Sequence, residues 1–68
     1  MGEHVIFAIP ERGNRLRIAA FPASRSPLPL GAEIIARVAD ADLNMMLLWA
    51  KRRAKRGWSL GKIKAACE

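Results

Sequence analysis

The 68-residue chain contains no tyrosine, a single cysteine (Cys67) and a single histidine (His4). One cysteine cannot form an intrachain disulfide. One histidine and one cysteine also fall short of the four ligands that a structural zinc site usually takes. A chain this short must therefore rely on a well-filled core or on association with another chain. Hydrophobic residues make up 51% of the sequence, which is enough to supply a core.

The sequence also lacks a long hydrophobic run, since its longest apolar stretch covers only residues 45–50. A membrane-spanning helix needs roughly 18 such residues, so none is predicted. The first segment, MGEHVIFAIPERG, has an acid where a signal peptide has bases, and its apolar part stops at Pro10. Together with the lone thiol, these features predict a cytoplasmic protein.

Groups that could perform catalysis are scarce. The carboxylates are scattered along the chain and the only histidine is at position 4, so no nucleophile, base and orienting partner are grouped. Asp40 and Asp42 are neighbours, but the sequence favours them as helix caps. The stretch RGNR at 12–15 is a turn and lacks the strand, glycine loop and helix of a nucleotide site. We therefore predict a non-enzymatic protein with no catalytic residue, no metal site and no cofactor.

The first third of the chain has the pattern of a β-hairpin over about residues 4–21. HVIFAIP is rich in β-branched and aromatic residues, RLRIAAFP alternates polar and apolar residues, and Gly13-Asn14 is a two-residue turn candidate. That turn pairs Ile9 with Ile18. It also predicts an inner face made of apolar residues only: Val5, Phe7, Ile9, Leu16, Ile18 and Ala20.

A proline-rich connector and a helical part follow the hairpin. Three of the four prolines lie in residues 22–30, which predicts an extended connector. The spacing of Ile34, Ile35 and Val38 predicts a short helix over 31–39.

A longer helix is then predicted, capped by Asp40 or Asp42 and ended by Gly57, with a last helix opening at Ser59. The overall prediction is an α+β fold in which the apolar face of the hairpin packs on the long helix. The chain forms one small domain of residues 1–68, in which the helical part covers 31–67. A homodimer through the hairpin or the long helix is left open.

Negative charge is almost missing from the C-terminal part. Residues 43–68 contain seven bases and one acid, whereas residues 1–42 contain five of each. On the long helix, Lys51 precedes Lys55 by one turn, a spacing at which like charges repel by a few tenths of a kcal/mol. Helix-dipole interactions and the packing of long side chains explain two or three of these bases. The remainder predict contact with an external anion.

We therefore predict a basic regulatory protein that binds nucleic acid, either DNA or RNA, with weak sequence preference because phosphate contacts carry no sequence information. The predicted contacts are Lys51, Arg52, Arg53, Lys55, Arg56, Lys62 and Lys64. A secondary group consists of Arg15, Arg17 and Trp58.

The stretch GWSLGKI places Gly57, Ser59 and Ile63 in a spacing that resembles the turn and second-helix start of helix-turn-helix DNA-binding domains. The resemblance covers residues 50–67. In that family the glycine makes the turn, the serine opens the recognition helix and the isoleucine anchors it. Here Arg53 stands where the family has a small residue. The resemblance implies DNA-facing positions for Trp58, Lys62 and Lys64, and phosphate contacts for Lys51, Arg52 and Lys55.

Two alternative partners fit the same basic segment. The chain could be a phage or mobile-element-type inhibitor or adaptor, similar in general character to anti-CRISPR proteins. In that case the segment would bind an acidic or nucleic-acid-binding host protein. Association with an anionic membrane surface is weaker, because the apolar residues beside the bases are needed for the core.

Overall fold

The computed structural model describes residues 2–25 and 28–67 and shows an α+β fold, as predicted. A three-stranded antiparallel sheet is followed by two helices. The elements are β1 (Glu3–Pro10), β2 (Leu16–Pro22), β3 (Glu33–Ala39), α1 (Leu43–Lys55) and α2 (Leu60–Cys67), with 3-10 turns at Arg12–Asn14 and Asp40–Asp42. The strand order is β2-β1-β3, so the first strand of the chain lies in the centre of the sheet.

The β1–β2 hairpin is confirmed, but the predicted register is wrong by one residue. Ile9 pairs with Arg17 instead of Ile18, because the connection spans residues 11–15 and is centred on Gly13 alone. Gly13 and Asn14 both adopt left-handed backbone angles, with φ of 67° and 64°. The Glu11 N–H donates to the Arg15 carbonyl at 2.7 Å and closes this longer connection.

The change of register exchanges the two faces of β1 alone, because the predicted inner residues of β2 (Leu16, Ile18 and Ala20) do face the core. The inner face carries Ile6 and Ala8 of β1, which are 1% and 0% exposed and belong to the main core. The predicted inner residues Val5 and Phe7 instead point to the opposite face, where the Phe7 and Phe21 ring centroids lie 5.4 Å apart. Both faces of the central strand are therefore buried.

The predicted helix over 31–39 is wrong, because these residues form the edge strand β3. In the pairing with β1, Ile6 lies opposite Ala36 and Phe7 opposite Ile34, which leaves Ile35 as the extra residue of a β-bulge. Ile35 and Ala36 consequently both contribute to the core. Because of the bulge, the apolar residues of β3 do not alternate as in a regular strand. Their spacing in the sequence is instead that of an amphipathic helix.

The helices cover the inner face of the sheet. Packing brings α1 onto β2 and α2 onto β3. The six residues buried at the centre of this core are Ile6, Ala8, Ile18, Ile35, Ala50 and Ile63. Sedimentation of the purified protein would test the homodimer that the sequence leaves open.

Of the two predicted caps, Asp42 occupies the N-cap position of α1, but its side chain makes no capping hydrogen bond. Asp40 has a different role. Its Oδ1 lies 2.7 Å from His4 Nδ1, and its N–H donates to the Gly2 carbonyl at 3.1 Å. The 3-10 turn before α1 is thereby tied to the start of β1.

Candidate nucleic-acid interface

The turn between the two helices is closed by backbone hydrogen bonds. Gly57 has φ of 91°, its N–H donates to the Ala54 carbonyl, and the Trp58 N–H donates to the Arg53 carbonyl, each at 3.1 Å. This pair of bonds is the Schellman motif, in which glycine takes the left-handed position. The predicted helix end at Gly57 is confirmed. The turn fixes where α2 begins relative to the basic end of α1.

The start of α2 also agrees with the sequence. Ser59 Oγ accepts a hydrogen bond from the Lys62 N–H at 3.2 Å, as an N-cap does. Ile63 is 0% exposed and anchors the helix in the core. The local roles of Gly57, Ser59 and Ile63 are therefore those expected from the helix-turn-helix resemblance. The second helix has only eight residues, and DNA recognition by this element stays a prediction.

Four basic side chains form an exposed surface at the C-terminal end of α1, which we call the basic helix face: Lys51, Arg52, Lys55 and Arg56. In the part of the chain that the structure describes, none of the four comes within 4.0 Å of a carboxylate. The sheet differs in this respect. Arg17 Nη2 lies 3.1 Å from Glu11 Oε2, and Arg37 Nε lies 3.8 Å from Glu3 Oε1.

Arg53 lies apart from the basic helix face, although it was predicted to belong with it. Its guanidinium carbon is 4.3 Å from the Trp49 ring centroid and 5.5 Å from the Trp58 ring centroid. Its Nη1 donates to the Trp49 carbonyl at 3.3 Å. Its Nε is buried and has no hydrogen-bond partner among residues 2–25 and 28–67. Arg53 therefore joins the two tryptophans to each other.

The two predicted lysines of α2 differ from each other. Lys62 is exposed, and its Nζ lies 4.3 Å from the Trp58 ring centroid in a cation–π contact. Lys64 is half-buried. Trp58 itself packs edge-on against Trp49 with 6.3 Å between ring centroids, which supports its role in fastening α2 to α1.

A groove of about 720 Å³ separates the hairpin connection from the end of α1. Arg15 lines one wall, and Lys51 and Lys55 line the other. The apolar residues Leu16, Ile18 and Ala54 also line it. We call this cavity the basic groove and these three residues its floor.

Only one of the two hairpin arginines predicted as secondary contacts lines the groove. Arg15 lines it, whereas Arg17 is paired with Glu11 and lies opposite Ile9 on the face of the sheet away from the helices. Glu11 is the acid among the lining residues, and its carboxylate is held by Arg17.

The basic groove continues around the inter-helix turn. A second cavity of about 390 Å³ shares Arg15 and Leu16 with it and extends past Gly57 to Trp58 and Leu60. Sequence reasoning identified the bases of this surface from their charge. It missed the groove, because nothing in the local sequence indicates that the hairpin connection approaches α1.

Other chemistry in the described chain is limited. Burial raises the pKa of the half-buried Cys67 thiol above its ordinary value, which makes it a poor nucleophile. Within residues 2–25 and 28–67 no three His, Cys, Asp or Glu side chains are grouped to hold a metal ion. No helix in these ranges has the length and apolar content needed to cross a membrane.

The chain matches no family model, no curated protein and no solved structure. A candidate function therefore rests on the residues described above and on their geometry.

Proposed function

We propose that this is a non-enzymatic, regulatory nucleic-acid-binding protein of the cytoplasm, and that phosphate groups bind the basic helix face. The observation that carries the proposal is the exposure of four bases within six positions of one helix, unpaired with any carboxylate of the described residues. Two like-charged pairs, Lys51 with Lys55 and Arg52 with Arg56, are each one turn apart and repel each other. A bound polyanion offsets this repulsion, because it brings negative charge close to the four bases.

The accompanying residues support phosphate as the anion. Arg15 adds a positive charge across the basic groove, and Lys62 adds one at the start of α2, so the bases surround the inter-helix turn. Such a distribution gives contacts to a phosphate backbone without reading bases, which predicts weak sequence preference. Binding of this kind falls steeply with salt, because each neutralised phosphate releases a counterion.

The test is a fluorescence anisotropy titration of labelled duplex DNA, single-stranded DNA and RNA at about 50 mM and about 200 mM salt. One variant changes the whole basic helix face to glutamine: Lys51, Arg52, Lys55 and Arg56. The control removes three charges elsewhere, by changing Arg12, Arg25 and Arg37 to glutamine.

The helix variant is expected to lose binding, and the slope of log affinity against log salt should shrink by about 0.9 per lost phosphate contact on duplex DNA. The control should retain most of the affinity, since only its net charge has changed. The proposal fails if no nucleic acid binds at the lower salt, or if both variants lose affinity equally.

We infer a second candidate function from exposed apolar residues on the same helix. Met45 and Leu48 are 66% and 49% exposed. Their position before the basic helix face gives α1 the mixed apolar and basic surface typical of protein interfaces. This favours the inhibitor or adaptor alternative, in which α1 binds an acidic host protein. Capture of a host protein that resists about 200 mM salt and is lost on changing Met45 and Leu48 to glutamine would select this function over the first.

A further inference from the structure

We infer that the basic groove holds a single strand of nucleic acid, with its phosphates on Arg15, Lys51 and Lys55 and its bases against the apolar floor. The inference rests on the proposed function and names the ligand class that the site selects. Exposed helix charges alone would accept a duplex or a single strand. The basic groove, in contrast, favours a single strand.

The walls of the groove carry charge on both sides. Arg15 comes from the hairpin connection, whereas Lys51 and Lys55 come from α1. All three side chains are exposed, so their charged ends are free to meet phosphates. The phosphates of a nucleic-acid strand lying between the walls would be neutralised from two sides. A flat basic surface would neutralise them from one side.

The floor of the groove favours a single strand over a duplex. Leu16 and Ala54 offer partly exposed apolar side chains, whereas Ile18 is only 7% exposed. A duplex keeps its base faces stacked inside and presents phosphates and base edges outside, so it would touch the rims and leave this floor uncovered. An unpaired strand has base faces that are free to cover apolar side chains.

The far end of the groove adds an aromatic surface. Trp58 lines the 390 Å³ continuation beside Gly57 and Leu60. Trp49 packs edge-on against this ring, and the Lys62 Nζ lies over it at 4.3 Å from the centroid, so a base would stack on Trp58 by displacing this exposed lysine. A positively charged groove that leads to an aromatic side chain is the usual arrangement for binding single strands without sequence preference.

Both walls are held by backbone structure, so the groove exists before the ligand binds. The Glu11 N–H bond to the Arg15 carbonyl closes the hairpin connection, and the left-handed Gly13 and Asn14 set its shape. The Schellman turn at Gly57 holds the opposite wall. Preformed walls lower the ordering cost of binding.

The decisive experiment compares Arg15→Gln with Arg25→Gln. Both residues are exposed arginines and both changes remove one charge, but only Arg15 lines the groove. The ligands are fluorescent oligothymidylate and oligouridylate of about ten nucleotides and a DNA duplex of equal length.

We expect the wild-type protein to prefer the single strands to the duplex. Arg15→Gln should weaken single-strand binding about fivefold and lower the salt slope by about 0.7, the value for one single-strand phosphate. Arg25→Gln should change neither quantity. Circular dichroism shows whether each variant remains folded.

A second measurement detects the base directly. In a Trp49→Phe background Trp58 is the remaining tryptophan, and single strands should quench its emission whereas the duplex should not. This readout does not depend on net charge, so it separates base contact from general electrostatic attraction.

The outcomes distinguish the inference from the proposed function. If no nucleic acid binds at low salt, the proposed function itself fails. If nucleic acid binds but the duplex is preferred, or the two arginine variants behave alike, only the groove assignment is overturned. Displacement of a bound single strand by oligoglutamate at equal charge concentration would also overturn it, and would identify the groove as a site for acidic peptides.

Discussion

Changing Lys51 to glutamate should stabilise the protein while weakening its binding to nucleic acid. Lys51 is exposed and lies one turn before Lys55 on α1. Removing their repulsion is worth about 0.2–0.5 kcal/mol, and a glutamate one turn before a lysine adds a similar attraction. Lysine and glutamate have nearly equal helix propensity. Position 51 also precedes the last turn of α1, so the helix dipole changes the result little.

The expected gain in the free energy of unfolding is therefore about 0.4–1.0 kcal/mol, which corresponds to an increase in Tm of about 2–8 °C for a domain of this size. Thermal and urea unfolding followed by circular dichroism at low salt measure it. Lys51→Gln removes the repulsion alone and should give about half of the gain. Both gains should shrink in about 1 M salt, where the screening length falls to about 3 Å.

Anisotropy titration of the same proteins measures the loss of affinity. A lower Tm for Lys51→Glu would refute the reasoning, because the charges on the basic helix face would then not repel one another appreciably. A gain that is independent of salt would refute it as well, since its origin could not be electrostatic.

Three further predictions concern the elements that support this surface. Ile63→Ala should lower the free energy of unfolding by about 2–5 kcal/mol, because it leaves a cavity in a fully buried site; a loss below about 1 kcal/mol in urea denaturation would mean that α2 is not anchored there. Arg53→Gln should cost about 1–2 kcal/mol of stability through its lost cation–π contacts and should change the tryptophan emission, whereas exposed Arg52→Gln should leave the emission unchanged. Cys67 should react with iodoacetamide more slowly in the folded protein than in urea, because burial raises the pKa of its thiol. Since the unfolded chain loses this proton at lower pH, folding stability should decrease as the pH rises above the ordinary thiol pKa, and Cys67→Ser should remove that component; equal alkylation rates in the two states would contradict the prediction.

Local signals in the sequence were sufficient for much of the fold. Gly57 ends α1 and Ser59 opens α2, and both roles follow from backbone geometry and capping chemistry within a few residues. The hairpin and the long helix were also predicted, because their apolar patterns are strong and uninterrupted. The bases of α1 could be identified as a candidate site from composition alone.

The predictions were wrong where the local structure depends on pairing or packing with another part of the chain. The bulge at Ile35 forms only because β3 pairs with β1, and it disguises a strand as a helix. The hairpin register depends on the length of the connection, which spans residues 11–15 and is closed by the Glu11–Arg15 backbone bond, and the residue types do not reveal this length. The groove between Arg15 and Lys51 depends in turn on that connection and on the packing of α1 against β2.

The position of β1 in the middle of the sheet has a consequence for synthesis of the chain. β1 is made first, and β2 can cover one of its edges as soon as the hairpin closes, but β3 begins only at Glu33. Until then the second edge of HVIFAI is open, and a short uncharged segment rich in β-branched and aromatic residues is the kind that aggregates. A weaker β3 would leave this edge open for longer and would therefore favour aggregation during folding.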